Sequence, residues 1–502
     1  MKILLTTLNT KYVHTNIALK YLSATLKEKD VYLKEYTINE PIGKILRDIV
    51  AYNADVIAFS VYLWNVEEIL KLSENIKKIC SNVKILLGGP EVTYQSDKLL
   101  EKYDFIDYIM IGEGEEVFPT LIDYLEKMLV TSETLPAPEE ILKHVSYRVG
   151  ERINIGKIAL VCDTQKIPRI AEAIVDNYDG RIVYIETVRG CPYNCSYCLS
   201  STIKGIRAFE MNRVKEELLM LMKAEVKLIK FVDRTFNYDK KRALEIWRFI
   251  LENNISSQFH FEISAHLIDD EILDFFDTVP NDVFKLEIGV QSTNPDTIKA
   301  INRNTDFDVI TKVTKRIMGK ENITTHLDLI AGLPYEGYER FKQSFNDVYN
   351  LRPTELQLGF LKLLSGCQIT AEKDKYEYEY TSYSPYEILK NKFISFEELT
   401  KLKNVEEMVD IYYNSLRYKN SLKFVENKFK SPFEFYYTLS EYAAQNGYFE
   451  RKISAEEWFD VLAKFYLDKR FEGYEEFVMN LRKDHFDSFG NKRRRGLTMF
   501  EN

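Results

Sequence analysis

The sequence predicts an α/β protein in three parts: a doubly wound parallel sheet, a central partial (β/α)6 barrel of the TIM type, and a mostly α-helical C-terminal region. Three observations carry this. Short β-branched or apolar runs alternate with helical stripes over the first 130 residues. From residue 181 a strand–loop–helix rhythm repeats six times. After about residue 372 that rhythm gives way to Tyr-, Phe- and Lys-rich helical patterns with capping signals. The expected boundaries are 1–130, a linker over 131–177, 178–372 and 373–502.

Composition sets outer limits. A chain of 502 residues is too long for one ordinary core. Hydrophobic residues at 45% and charged residues at 29% describe a globular protein, and a net charge of -9 gives no pull toward nucleic acid or anionic membrane. No apolar run approaches the roughly 20 residues of a membrane-spanning helix. The start, Met1-Lys2-Ile3-Leu4-Leu5-Thr6-Thr7, is too short and polar for a signal peptide. Six cysteines, three of them in one motif, suggest a reducing cytoplasm.

In the first part, strands are expected at 2–6, 55–61, 83–87 and 108–111. Between the second and third runs a helix with Val66, Ile69, Leu72, Ile76 and Ile79 on one stripe. Strands buried on both faces and crossed by helices form a doubly wound, Rossmann-like sheet, which binds ligands beyond the strands' carboxyl ends. Those ends carry Ser60-Val61-Tyr62-Leu63-Trp64-Asn65, Gly88-Gly89-Pro90-Glu91 and Gly112-Glu113-Gly114-Glu115-Glu116. The linker contains the break Thr134-Leu135-Pro136-Ala137-Pro138 and is read as an extended strap.

In the central part, strands are expected at 182–186, 228–232, 259–264, 284–290, 325–330 and 356–361. An active site forms at the carboxyl ends of such a barrel. The first strand leads into Arg189-Gly190-Cys191-Pro192-Tyr193-Asn194-Cys195-Ser196-Tyr197-Cys198. Thiolates suit zinc or iron–sulfur clusters. A structural zinc site or a four-cysteine cluster needs a complete tetrad. This loop supplies three cysteines, and no neighbouring His or Cys completes the set. A cube held by three thiolates leaves one iron open, which points to chemistry; a zinc loop is the alternative. The other strands end in Asp233-Arg234-Thr235, in Glu262 leading to His266, in Gln291-Ser292, in Asp328 before Gly332-Leu333-Pro334, and in Gln357 and Phe360. Cys367 lies just beyond the last strand as an inert thiol, a second redox role being the alternative.

The cysteine spacing, with Tyr197 directly before the third cysteine, resembles the radical S-adenosylmethionine (SAM) family. The resemblance implies a [4Fe–4S] cluster on Cys191, Cys195 and Cys198 whose open iron takes the amino and carboxylate groups of SAM. Electron transfer from the cluster then gives a 5′-deoxyadenosyl radical. Gln291, Arg303 in an Asn-Arg pair, Glu262 and Asp328 are similar to the SAM-binding pattern of the coproporphyrinogen dehydrogenase branch. Arg303 then suits the SAM carboxylate. Asp233, Arg234 and Thr235 stand where that branch has Gly-Gly-Glu. Bland alternatives are an exposed strand residue for Glu262, a helix cap for Arg303 and a turn cap for Asp328.

The first part resembles the cobalamin-binding domain found ahead of that motif in many radical SAM enzymes. The resemblance implies cobalamin contacts from Ser60, Tyr62, Leu63, Trp64, Asn65, Gly88, Gly89, Gly112 and Glu113. A generic nucleotide fold is the alternative. Mutase-type cobalamin domains carry Asp-x-His-x-x-Gly. Here His14 stands in Leu8-Asn9-Thr10-Lys11-Tyr12-Val13-His14-Thr15-Asn16 with no such flanks. The similarity is to members that hold cobalamin without a histidine, with Tyr62, Leu63 and Trp64 as lower-face candidates.

In the last part, capping boxes are expected at Ser395-Phe396-Glu397-Glu398, Ser431-Pro432-Phe433-Glu434 and Ser454-Ala455-Glu456-Glu457. Phe433, Tyr436, Tyr437 and Tyr442 are read as core, and Lys492-Arg493-Arg494-Arg495 as a solvated tail. The two resemblances imply a cytoplasmic cobalamin-dependent radical SAM enzyme, commonly a methyltransferase for an unactivated carbon or a phosphinate. Ring closure or another rearrangement with the same cofactors is the alternative, and a non-catalytic sensor is a third reading. Implied partners are a small-molecule or peptide substrate and an electron donor such as a flavodoxin or ferredoxin, with no membrane and no nucleic acid.

Overall fold

The computed structural model describes residues 1–131 and 136–490. The basic run at 492–495, and Thr134 and Leu135 of the expected break, lie outside the described residues. The described chain divides into two compact units. The first is Met1–Glu262 with Leu363–Ala371 and Thr381–Tyr386. The second is Ile263–Lys362 with Glu372–Tyr380 and the chain from Glu387 onward.

The first unit opens with a seven-stranded sheet. Its strands are β1 (Lys2–Asn9), β2 (Asp30–Thr37), β3 (Val56–Ser60), β4 (Lys84–Gly88), β5 (Tyr108–Met110), β6 (Val145–Val149) and β7 (Arg152–Asn154), in the order β2-β1-β3-β4-β5-β6-β7. The first five are parallel; β6 and β7 add on antiparallel. Alternate residues of each strand feed two cores. Leu4, Ile57, Phe59, Ile85 and Leu87 pack with Ile69, Leu72 and Ile76 of the helix Val66–Ile79. Ile3, Leu5, Val56, Ala58 and Leu86 pack with Phe118, Leu121 and Leu125 of the helix Val117–Thr131. Each such aliphatic side chain contributes about 1.5–3 kcal/mol by leaving water. The chain leaves β1 to one side and returns on the other, so the β1/β3 junction is a topological switch point, where such sheets bind ligands.

Two features depart from the sequence reading. β2 is an additional strand; as an edge strand its exposed Asp30 and Lys34 mask the apolar pattern. The linker is not simply extended. It supplies the β6–β7 hairpin, with Val145 and Tyr147 buried in the second core.

The six expected central strands are all present. In the first unit, β8 (Val183–Ile185) and β12 (Gln258–Ile263) flank β11 (Leu228–Phe231) in parallel, with Ile229 opposite Val183 and Phe259. The short pair β9 (Val188–Arg189) and β10 (Arg207–Ala208) closes the cysteine loop as an antiparallel ribbon. In the second unit, β14 (Thr324–Ala331) lies between β13 (Phe284–Gln291) and β15 (Glu355–Phe360), with Leu327 opposite Ile288 and Leu356.

The C-terminal region is helical, after the small ribbon β16 (Glu379–Tyr380) and β17 (Ile388–Lys390). The helix Phe396–Val409 starts at a complete capping box between Ser395 and Glu398, and Ser431 caps the helix Pro432–Gln445. Ser454 accepts the Glu457 N–H just ahead of the helix Glu457–Asp468. Phe433 and Tyr436 are fully enclosed and Tyr442 is buried, while Tyr437 is half-buried.

Candidate functional site

A cleft holding about 1550 Å³ of empty space, part of it open solvent, lies in the first unit at the carboxyl ends of β3, β4 and β5. Ser60, Tyr62, Gly88, Gly89, Gly112 and Glu113 line it from the sheet. Gly190, Leu199, Ser200 and Ile203 line it from the cysteine loop and the turn that follows. The expected cobalamin surface and the expected cluster loop therefore share one cavity.

The glycines earn their places through the protein's own backbone. Gly89 has φ +119°, and a Cβ there would fall 2.4 Å from the Val61 carbonyl; a Cβ at Gly112, φ +92°, would fall 2.4 Å from the Ala159 carbonyl. Any side chain at either position would strain the loop that forms the wall.

The 60–65 loop divides between wall and frame. The Tyr62 ring stacks on Trp64, 4.5 Å between centroids at 4°. Trp64 does not line the cleft: it is 42% exposed, and its indole N–H donates to the Leu8 carbonyl at 3.0 Å. Asn65 is fully buried and serves as a staple. Its amide N–H groups donate to Thr7 Oγ1 and the Leu8 carbonyl, and its oxygen accepts the Tyr62 N–H. Leu63 offers its carbonyl to the Ser384 hydroxyl. His14 is likewise outside the cleft wall, with Nδ1 2.7 Å from the Tyr184 hydroxyl.

Along the cleft wall runs an ion-pair network in which only Glu113 was expected to take part in binding. Glu113 meets Arg207 through both oxygens, at 2.6 and 2.8 Å, and Arg189 at 3.1 Å. Arg189 also pairs with Glu115 and with Glu186. Burial pushes Glu113 up, but the two guanidinium groups outweigh it and hold the carboxyl below the usual range. Glu113 is thus a strut between the β5 loop and the cysteine loop. Burial dominates at Glu186, whose carboxyl is pushed up to about 7. Arg189 and Glu115 lay inside the motifs read from the sequence, but nothing in the sequence indicated that they pair.

The three cysteines of the loop form no disulfide; Cys195 is buried, Cys191 and Cys198 half-buried. Cys191 Sγ lies 3.5 Å from Thr235 Oγ1. The Cys367 thiol donates to the Tyr197 carbonyl at 3.5 Å, and burial pushes it up to about 12. A three-thiolate cube with one open iron fits this donor set.

Asp233 corrects the sequence reading. It is 1% exposed, and its carboxylate accepts the Thr187 N–H at 2.8 Å, the Thr187 hydroxyl and the Val188 N–H at 3.2 Å. It anchors the entry to the cysteine loop and has no face left for a ligand. Arg234 does line the cleft, exposed, 3.5 Å from Glu262.

In the second unit, Gln291 and Arg303 come together over Gly289, whose carbonyl accepts Arg303 Nη2 at 2.6 Å. A register shift between Gly289 and Gln291 ends β13, and Gln291 adopts φ +70°. Such bulges re-aim side chains near functional sites. The Gln291 amide oxygen is buried with no hydrogen-bond partner among the described residues, which fits a ligand donor. Asp328 pairs with His326 at 3.0 Å.

Comparison with known proteins agrees with this architecture. The family described as "B12 binding domain" matches residues 3–122, "Radical SAM superfamily" matches 185–348, and a family described as "Protein of unknown function (DUF4080)" matches 374–499. The chain thus carries a segment that matches the radical SAM family and, ahead of it, one that matches the B12-binding family.

The cobalamin-dependent radical SAM methyltransferase TokK of Streptomyces tokunonensis is 27% identical over 317 residues, 59% of this chain and 44% of that protein. An uncharacterized methyltransferase, PH0819, of Pyrococcus horikoshii is 29% identical over 46% of this chain and 51% of its own length. The chain thus spans about half the length of these curated relatives. Among solved structures, the cobalamin-dependent SAM radical enzyme OxsB with aqua-cobalamin bound shares the fold across 98% of this chain and 84% of its own, with TM-score 0.65 at 15% identity. The methyltransferase TsrM from Kitasatospora setae, bound to tryptophan and a SAM analogue, covers 74% of this chain and 76% of its own, with TM-score 0.60 at 16% identity.

Proposed function

We propose that this chain is a cobalamin-dependent radical SAM enzyme that transfers a methyl group to an unactivated carbon or a phosphinate. The observation that carries the reading is the shared cavity: the walls of the B12-binding sheet and the loop of Cys191, Cys195 and Cys198 face one space. TokK and PH0819 are both described as methyltransferases, which favours methyl transfer over rearrangement.

Cys191, Cys195 and Cys198 would hold the cluster. Ser60, Tyr62, Gly88, Gly89 and Gly112 would receive cobalamin, and Gln291, Arg303 and Asp328 of the second unit would receive SAM. Bound together, these groups supply one-electron cleavage of a sulfonium and a transferable methyl group. The chain itself contributes placement and dryness. Asp233 fixes the start of the cysteine loop through Thr187 and Val188. Thr235 sets a hydroxyl beside Cys191. Arg303 offers a fixed guanidinium fork to a carboxylate. Apolar Leu19, Leu22, Leu86 and Met110 line the cleft and keep water from its inner wall. The small cysteine count suits a reducing compartment.

The test is anaerobic incubation of reconstituted protein with SAM, cobalamin, a reductant and candidate substrates, followed by mass spectrometry. Methylated product together with 5′-deoxyadenosine, both absent from Cys195→Ala, is the expected outcome. Deoxyadenosine with a rearranged, unmethylated product would establish the alternative chemistry.

A further inference from the structure

Two short segments that follow β15 in sequence, Leu363–Ala371 and Thr381–Tyr386, belong to the first unit. They are tied together by the Leu363 N–H, which donates to the Tyr386 carbonyl at 3.0 Å. The first segment grips the cysteine loop. The Ile369 N–H donates to the Ser196 carbonyl at 2.9 Å, and the Cys367 thiol donates to the Tyr197 carbonyl. Gly366, at φ +90°, lies flat on the Tyr94 ring, so that a Cβ there would fall 2.7 Å from two ring carbons. Tyr94 lines the cleft and donates its hydroxyl to Thr202 Oγ1 at 2.6 Å, in the turn after the third cysteine. The second segment grips the sheet loops. The Ser384 hydroxyl donates to the Leu63 carbonyl, and the Tyr386 hydroxyl donates to Glu91 Oε1 at 2.7 Å.

All these anchoring contacts fall on the cysteine loop with its following turn, or on the segments just beyond the carboxyl ends of β3 and β4. Individually such hydrogen bonds are modest. Their common effect is geometric. They tie the walls of the cleft to the backbone on either side of Cys195 and Cys198. In a reaction shared by two centres, a misplacement of about 1 Å can cost about a hundredfold in rate.

We infer that residues 363–371 and 381–386 form a clip that fixes the separation between a corrin in the cleft and the cluster on the cysteine loop, with Tyr94, Gly366 and Tyr386 as positioning residues. The inference rests on the cofactor reading above. It also gives the domain matched at 374–499 a task, because that domain supplies Ser384 and Tyr386.

The test uses the full chain, loaded anaerobically with cluster and hydroxocobalamin and reduced until both centres are paramagnetic. Pulsed electron paramagnetic resonance reads how strongly the reduced cluster accelerates the spin relaxation of cob(II)alamin. Gly366→Ala drives a methyl into the Tyr94 ring, and Tyr386→Phe removes the bond to Glu91. Both variants keep iron and cobalt at the level of the unmodified protein and lose part of the acceleration. Hydrogen exchange of the cofactor-free protein quickens over 62–65 and 363–371 in Tyr386→Phe. Quickened exchange with unchanged relaxation would reduce the clip to a mere strap, and unchanged exchange would remove it altogether. If Gly366→Ala loses its metals, Tyr386→Phe decides. An unmodified protein that takes up no cobalamin sinks the cofactor reading and the clip's purpose with it, and its cobalt content distinguishes that result from failure of the clip alone.

Discussion

Glu113 and Arg207 face each other as a two-point ion pair, Oε1 to Nη2 at 2.6 Å and Oε2 to Nη1 at 2.8 Å. The same carboxylate accepts the Val161 N–H at 2.7 Å and lies 3.1 Å from Arg189. One side chain thus ties together the β5 loop, the segment after β7 and both ends of the ribbon that closes the cysteine loop. Truncating one partner of a buried pair leaves the others uncompensated, at about 3–5 kcal/mol. Glu113→Ala should lower unfolding stability by that amount in urea titration, whereas Glu113→Gln, which keeps one acceptor, should lose less.

Glu186 supplies a pH signature. Its carboxyl is pushed up to about 7 by burial, against an ordinary value of 4.5, despite its bond to Arg189 at 3.0 Å. A raised folded-state value means that Glu186's relative contribution is fully present below about pH 4.5 and is lost as pH rises through about 7. The span corresponds to roughly 3 kcal/mol at most. In urea midpoints of the cofactor-free protein, the unmodified chain should fall relative to Glu186→Gln between these limits. Parallel curves would remove Glu186 as the cause.

Arg303 is held by the Gly289 carbonyl, over which the Gln291 amide nitrogen also lies. Arg303→Ala should weaken SAM binding by about 1.5–3 kcal/mol, the range for hydrogen bonds to charged groups. Iron content should be unchanged, because no ligand is touched. Unchanged SAM affinity with falling iron would make Arg303 a structural cap.

The cleft wall carries Tyr62, backed by Trp64, while His14 is engaged with Tyr184 outside it. With the cofactor's own base displaced and no histidine in its place, protein-bound cob(II)alamin should show no nitrogen splitting on its cobalt lines in electron paramagnetic resonance. Splitting that disappears in His14→Ala would restore a mutase-like lower ligand.

The strand positions, the three cysteines and the glycine turns were legible because each depends on local spacing. The central strands fall within a residue or two of the expected limits because buried parallel strands read as apolar runs. β2 escaped because an edge strand alternates with charge. Asp233 was read as a ligand contact because an acid at a strand end looks the same whether it faces a ligand or its own backbone; only the Thr187 and Val188 N–H groups decide. The same holds for Asn65 and Trp64, whose donors are spent on Thr7 and Leu8, more than 50 residues away in sequence. The Gln291 bulge and the contacts of 363–371 and 381–386 arise from tertiary pairing, which leaves no periodic trace.

The most direct measurement of the central claim uses SAM with a deuterated methyl group. Reconstituted, reduced protein is incubated with it and cobalamin, and the small molecules are resolved by mass spectrometry. The account predicts deuterated methylcobalamin and S-adenosylhomocysteine from one use of SAM, and 5′-deoxyadenosine from the other, with the deoxyadenosine alone abolished by Cys195→Ala. Deoxyadenosine without S-adenosylhomocysteine or labelled methylcobalamin would contradict methyl transfer, and neither product from protein carrying a full cluster and cobalamin would contradict the enzyme.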